Sequence, residues 1–199
     1  MKERIGIFGG TFDPIHLGHV AMALFLKEAH QLNQLFFIPA GQNPHKVGKI
    51  AASKKHRLKM VELALKDVPG CKVLDLEITR KGPSYMIDTL KKLSTLYPKA
   101  SFFLLLGEDL LSTIDEWKSV HQLFQMAPPL VAARKSAVLQ GKWQKDPILK
   151  KMIEKGRTET SLFDISATEI RTRIKEGLYV GHLLHPRVLR YIEKERLYK

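Results

Sequence analysis

Cysteine is nearly absent from this 199-residue chain; Cys71 is the only one. A single cysteine excludes an intrachain disulfide framework and any cysteine-based zinc site. Long apolar runs are also missing. The longest are interrupted by charge, as at Lys27 and Glu28, so no membrane span is expected. Met1 is followed by Lys2, Glu3 and Arg4 and then directly by a strand-length apolar run, without a signal-peptide apolar region. These features predict a cytoplasmic protein. Several catalytic signatures are absent as well. There is no GxxxxGK[ST] phosphate loop and no GxGxxG fingerprint, which removes P-loop kinases and the usual dinucleotide-binding proteins. There is no GxSxG nucleophile elbow and no HExxH zinc helix.

Acidic residues are under-represented: 20 Asp and Glu stand against 33 Lys and Arg, a net charge of +13. That balance suits nucleic acid, an anionic small substrate, or only a soluble basic surface. The basic residues are scattered, with short clusters at 54–57 and 150–155 and no arginine-rich arm or interleaved aromatic stripe. The expectation is therefore a phosphate-rich small substrate and no nucleic-acid partner. An apolar content of 44% supports a sizeable core, and the length predicts one domain spanning residues 1–199.

What is present is concentrated in GGTFDPIHLGH, residues 9–19. The segment follows an apolar run that reads as a buried strand and leads into a helical pattern starting near Leu17. Gly9 and Gly10 let backbone N–H groups approach phosphate oxygens with no Cβ in the way. His16 and His19, three apart at a helix start, fall on one face and can reach the same anion. The helix N-terminus adds partial positive charge. A lone histidine or glycine pair would mean little; the full string is specific for phosphate handling.

Along the chain, strand and helix patterns alternate. Residues 4–8 and 34–38 read as strands flanking a helix over 17–32. Residues 53–66 read as a helix capped by Ser53, 72–76 as a short strand, and 84–97 as an amphipathic helix capped by Ser84 and stopped by Pro98. The continuous apolar run SFFLLL, 101–106, predicts a central strand covered on both faces, and 129–133 is a further strand. Such alternation predicts a parallel sheet, with ligands beyond the strand C-terminal ends. Residues 140–160 are the least patterned and predict a variable link to a helical tail.

Four further segments carry candidate chemistry. PAGQNPHK, 39–46, is a loop after the second strand that supplies His45 and Lys46, a lysine able to hold phosphate as a point charge. RKGPSYMIDTL, 80–90, feeds a helix start whose N–H groups can hold an anion; alone, it reads as an ordinary capped helix. In GEDLLSTIDEW, 107–117, Gly107 permits close ligand approach, Asp109 can accept from ribose hydroxyls and Trp117 offers a stacking face. Equally, Glu108 and Asp109 suit a helix N-terminus and Trp117 suits a core. In ISATEIRTRI, 165–174, Ser166, Thr168 and Arg171 can clamp a triphosphate or simply cap a helix.

The order and combination of GGTFDPIHLGH, PxxxNPHK, GPSYxxDTL, GxD with a downstream Trp, and ISATxIR resembles the bacterial nicotinate mononucleotide adenylyltransferase family, within the HxGH nucleotidyltransferases. The match runs from Gly9 to Arg171, with a family-like tail in YIEKERLY. The resemblance implies an α/β, Rossmann-like nucleotidyltransferase fold, a parallel sheet flanked by helices, with residues 165–199 as a small helical C-terminal subdomain. It implies adenylyl transfer from ATP to nicotinate mononucleotide, giving nicotinate adenine dinucleotide and pyrophosphate, a late step of NAD synthesis. The mononucleotide phosphate attacks the α-phosphorus in line, so catalysis is positioning and charge stabilisation with no protein nucleophile.

Carried over by motif, His16, His19, Lys46 and Arg171 act on the phosphates. Gly9, Gly10, Thr11 and Phe12 line the nucleotide cleft, Gly107 and Asp109 meet the ATP ribose, and Ile165, Ser166 and Thr168 meet the ATP phosphates. Thr11, Lys46, Ser84, Tyr85, Met86, Trp117 and Arg134 would receive the mononucleotide, with Trp117 stacked on its ring. Mg2+ accompanies ATP, held mostly by phosphates and water, and no protein metal site is implied. A homodimer is left open. Three positions depart from the family pattern: Met86 where threonine is frequent, Ala167 where serine is, and Asn43 in place of a proline. The run HLLHP, 182–186, has no reading at this level. Rival readings are a phosphopantetheine adenylyltransferase, against which His16 speaks, a cytidylyltransferase, and a basic nucleic-acid-binding protein.

Overall fold

The computed structural model describes residues 2–42, 51–134, 141–160 and 165–199. Strands and helices alternate: β1 (Glu3–Gly10), α1 (Leu17–Ala29), β2 (Gln34–Pro39), α2 (Lys54–Leu65), β3 (Cys71–Val73), α3 (Met86–Leu96), β4 (Ala100–Gly107), α4 (Val120–Met126), β5 (Pro129–Arg134), α5 (Pro147–Gly156), β6 (Arg157–Thr160), α6 (Ala167–Lys175) and α7 (Pro186–Lys194). The strands form one sheet in the order β3-β2-β1-β4-β5-β6. The chain divides into two compact units. One comprises Met1–Phe8, Met22–Phe36 and Tyr85–Leu162; the other comprises Gly9–Ala21, Phe37–Ser84 and Phe163–Lys199.

In the first unit β1 pairs parallel with β4, Ile5 opposite Phe102 and Ile7 opposite Leu104. β4 pairs parallel with β5, Leu106 opposite Val131, and β5 pairs parallel with β6. Ile5, Ile7, Leu104, Leu105, Leu106 and Val131 are all buried, so β4 is covered on both faces as its unbroken apolar run predicts. Each such side chain contributes about 1.5–3 kcal/mol of burial. Helix α1 ends earlier than expected, at Ala29. Gln31 adopts a left-handed φ of 51°, and Leu32 N–H closes back onto the Lys27 carbonyl at 2.9 Å, a Schellman stop that a side-chain pattern does not announce.

The expectation of an unpatterned link over residues 140–160 is overturned. Residues 141–160 hold a 3₁₀ turn (Lys142–Lys145), helix α5 and strand β6. Trp143 is only 3% exposed, and Leu149 and Ile153 are buried one helical turn apart. Asp146 caps α5 by accepting from the N–H groups of Ile148 and Leu149 at 2.9 and 3.0 Å, and Pro147 takes the first helical position. The signal was the Asp-Pro pair. The polar composition of β6, RTET, hid the strand.

In the second unit Ser53 caps α2, its hydroxyl accepting from His56 N–H, as expected. Strand β3 is shorter than expected, although Leu74 N–H still reaches the Phe37 carbonyl at 2.9 Å. The run HLLHP acquires a meaning: His185 Nδ1 accepts from Arg187 N–H at 3.2 Å and caps α7, with Pro186 at the first helical position. Leu184 is buried beside it. Helix α7 is tied to α2 by His56 Nδ1 with the Tyr191 hydroxyl at 2.9 Å. Among the described residues no helix is long and apolar enough to cross a membrane.

Gly156 ends α5 where a Cβ would overlap the Pro129 carbonyl oxygen of β5. Backbone cannot yield as a flexible side chain does. Gly156→Ala is therefore expected to destabilise the fold by about 3 kcal/mol, read as a lower urea midpoint with an unchanged slope.

Candidate active site

The segment after β1 is built tightly. Phe12 takes a left-handed φ of 50°, Asp13–Pro14 is cis, and Phe12, Asp13, Pro14, Ile15 and His16 are all buried. The His16 and His19 rings stack with centroids 3.6 Å apart and planes 22° from parallel. Phe12 meets the His19 ring edge-on at 5.2 Å. Each histidine uses Nδ1 as an acceptor: His19 N–H donates to His16 Nδ1, and His16 N–H donates to His19 Nδ1, both at 3.3 Å. A nitrogen that accepts from a backbone N–H cannot carry a proton itself. In the neutral rings the proton is therefore on Nε2, as the donor an anion needs.

Gly18 sits at close quarters between the histidines. A Cβ there would come within 3.2 Å of His16 Nδ1 and 3.4 Å of the Ile165 side chain. Ile165 and the α6 start thus lie against the histidine pair. Arg171 makes the second link, one guanidinium nitrogen donating to the Asp13 carbonyl at 2.8 Å and another to Thr168 Oγ1 at 3.1 Å. Ser166 occupies the N-cap position of α6, but its hydroxyl makes no capping bond. The second unit therefore gathers Thr11, Phe12, His16, His19, Ile165, Thr168 and Arg171 around one loop.

Two residues that sequence reasoning missed hold this loop. Asp13, 4% exposed, accepts from Ala51 N–H at 2.8 Å, Ala52 N–H at 3.1 Å and the Tyr198 hydroxyl at 2.8 Å. Arg57, 1% exposed, donates to the Thr11 carbonyl at 2.6 Å and the Gly41 carbonyl at 3.1 Å. Burial pulls the Arg57 guanidinium down from its ordinary range, and the Asp13 charge opposes that pull. Within the basic start of α2 the sequence offered no signal that set Arg57 apart from its neighbours. Ser84 is a correction: it does not cap α3, whose N-cap is Tyr85. Its hydroxyl instead accepts from Gly41 and Gln42 N–H at 3.1 and 3.3 Å, closing the turn after β2. Lys46, with Asn43 and His45, lies outside the described residues.

The first unit carries the remaining candidates. Gly107 closes β4, and a Cβ on it would meet Asp109 Oδ1 at 2.5 Å, so the glycine leaves the exposed Asp109 carboxylate room to fold back. Glu108 stands in the first turn of the 3₁₀ segment Glu108–Glu116, the helix start expected for it. It accepts from Arg134 N–H at 2.9 Å and pairs with the Arg134 guanidinium at 3.1 Å, whose side chain remains 61% exposed. Trp117 follows the 3₁₀ segment Glu108–Glu116 and is half-buried, with part of its surface exposed. Next to it Lys118 Nζ sits 4.6 Å from the Tyr85 ring centroid and 3.3 Å from Asp88. Met86 is the first residue of α3. Among the described residues no group of three or more His, Cys, Asp or Glu could hold a metal ion.

Burial pushes the His16 imidazole down to about 4. Its folded pKa is then below the free value of 6.5, so the unfolded chain takes up the proton first. The stability of the neutral ring is fully present above about pH 6.5 and is lost as pH falls toward 4, on the order of 3 kcal/mol in all. Urea titrations across that window are expected to show a shallower decline for His16→Asn than for the parent.

Comparison with known proteins extends these observations. Residues 7–173 match the family model described as Cytidylyltransferase-like. A Desulfitobacterium hafniense (strain Y51) protein named "Probable nicotinate-nucleotide adenylyltransferase" is 39% identical over 99% of this chain and 96% of its own length. An Oceanobacillus iheyensis protein of the same name is 32% identical over 100% and 97%. The solved Plasmodium falciparum nicotinic acid mononucleotide adenylyltransferase complexed with NaAD superposes with a TM-score of 0.79 at 21% identity, covering 98% of this chain and 97% of that one, a likeness of fold.

Proposed function

The chain belongs to the Cytidylyltransferase-like family and, within it, to the nicotinate-nucleotide adenylyltransferases, and from that premise we propose that it transfers the adenylyl group of ATP to nicotinate mononucleotide, releasing pyrophosphate. The observation that carries the chemistry is the stacked His16–His19 pair, each Nδ1 accepting from the other residue's backbone N–H, with Arg171 docked on the same loop. Adenylyl transfer forms a bond from the mononucleotide phosphate oxygen to the α-phosphorus and breaks the bond to the pyrophosphate oxygen. Charge accumulates on the α-phosphoryl oxygens and the leaving group. Donors already fixed in place stabilise that charge without reorganising.

In this reading His16 and His19 donate to the ATP phosphates, and Arg171, Lys46 and Thr168 complete the clamp. Gly9, Gly10, Thr11 and Phe12 form the floor of the nucleotide site, with Ile165 and Ser166 at the phosphates. Gly107 and Asp109 meet the ATP ribose. Trp117 stacks on the nicotinate ring, Tyr85 and Met86 meet its carboxylate through backbone N–H, and Arg134 takes the mononucleotide phosphate. Ser84 supports this group by holding the neighbouring turn. Mg2+ enters on the ATP phosphates, coordinated by phosphate oxygens and water, and supplies charge neutralisation. The substrates are those of cytoplasmic NAD synthesis.

Pyrophosphate release with ATP and Mg2+ is expected to be strongest with nicotinate mononucleotide and weak with nicotinamide mononucleotide and phosphopantetheine. Comparable use of the amide would direct attention to Met86. Release with none of the three would overturn the substrate assignment. His19→Ala is expected to retain the fold by circular dichroism and lose roughly a hundredfold in kcat; near-normal turnover would remove His19 from the chemistry.

A further inference from the structure

Helix α7 ends in a way that brings the chain back on itself. Arg196 adopts a left-handed φ of 51°, and Leu197 N–H closes onto the Ile192 carbonyl at 3.0 Å. Tyr198 follows, also left-handed at φ 67°. Left-handed backbone is uncommon for bulky residues and persists only where surrounding contacts hold it. Here the contacts are specific. The Tyr198 hydroxyl donates to Asp13 Oδ1 at 2.8 Å and lies 3.9 Å from Met60 Sδ. Burial, and then the Asp13 charge, push the Tyr198 phenol above its ordinary range, so it remains a donor throughout the working pH range.

The Asp13 carboxylate is where this contact acquires a consequence. It sits three residues before His16, and its own carbonyl receives Arg171. Among the described residues its oxygens have three donors: Ala51 N–H, Ala52 N–H and the Tyr198 hydroxyl. With the hydroxyl removed, a buried anion loses one of three donors. Two guanidiniums lie nearby to respond, that of Arg57, which feels the Asp13 charge, and that of Arg171, now on the Asp13 carbonyl. Turning Arg171 toward the carboxylate takes it away from an incoming phosphate and lets the histidine loop shift.

We propose that Tyr198 is a positioning residue for triphosphate binding, acting through Asp13 on the His16–His19 loop and on Arg171. The inference rests on the proposed activity for its kinetic consequence and on the Asp13 contacts for its structural one. The YIEKERLY tail contains this tyrosine but gave it no role, because its partner is 185 positions away.

The test compares Tyr198→Phe with Tyr191→Phe. The control also removes one hydroxyl contact from the same segment, that to His56, without touching Asp13. Two readouts are taken: the ring ¹⁵N resonances of His16 and His19, and steady-state pyrophosphate release with each substrate varied in turn. Tyr198→Phe is expected to move both histidine signals, to raise KM for ATP about tenfold and to lower kcat about tenfold, with KM for nicotinate mononucleotide unchanged. Tyr191→Phe is expected to leave all of these at the parental values. Parental histidine signals in Tyr198→Phe, or equal changes in the two variants, would overturn the proposal. If the parent releases no pyrophosphate, the substrate reading fails, while the histidine signals still decide whether Tyr198 sets the loop.

Discussion

A carboxylate removed from water organises the phosphate-handling half of this protein. Placing an anion where it is 4% exposed costs several kcal/mol unless donors surround it. Asp13 obtains its donors from Ala51, Ala52 and Tyr198, and the Arg57 charge lies close enough to be felt. Those residues come from distant parts of the sequence, and the carboxylate is the reason they converge. The strained backbone of Phe12, φ 50°, is held in the same way, since Arg57 grips the carbonyl of Thr11 immediately before it. The loop that carries the histidines is therefore fixed by polar contacts to its backbone and to one buried charge, together with the buried side chains of Phe12, Pro14 and Ile15.

What the sequence made legible follows from the range over which each force acts. The apolar run of β4 and the Ser53 cap of α2 are local patterns, and both appear where expected. Edge and polar elements were harder. β6, with the sequence RTET, has no apolar signature, and its pairing with β5 supplies what its side chains do not. Ser84 illustrates a different failure. A serine before a helix has two uses for its hydroxyl, and the backbone N–H groups of Gly41 and Gln42, brought near by tertiary structure, take it.

The candidate site divides in the same way. His16, His19, Thr168 and Arg171 were visible as motif residues, and they do come together, with Arg171 of α6 docked on the carbonyl of Asp13 in the segment that leads into the histidine pair. Asp13 and Arg57 were not singled out, because an aspartate inside a motif and an arginine inside a basic helix look like ordinary surface charges. Only burial distinguishes them. Glu108 stands at a helix start as its sequence suggested, and its carboxylate in addition serves Arg134, 26 residues away, which the sequence did not show.

The reciprocal Nδ1 contacts of the two histidines have an effect on how anions are felt at a distance. Neutral rings attract a phosphate through oriented N–H dipoles, which act only at contact and are little affected by dissolved ions. Arg171 carries a full charge, whose reach is set by the Debye length, about 8 Å at physiological ionic strength. Added salt should therefore weaken the guanidinium's share of anion affinity and spare the imidazoles' share. Capture of the nucleotide would then be sensitive to ionic strength, while its final seating against the ring pair would be almost indifferent to it.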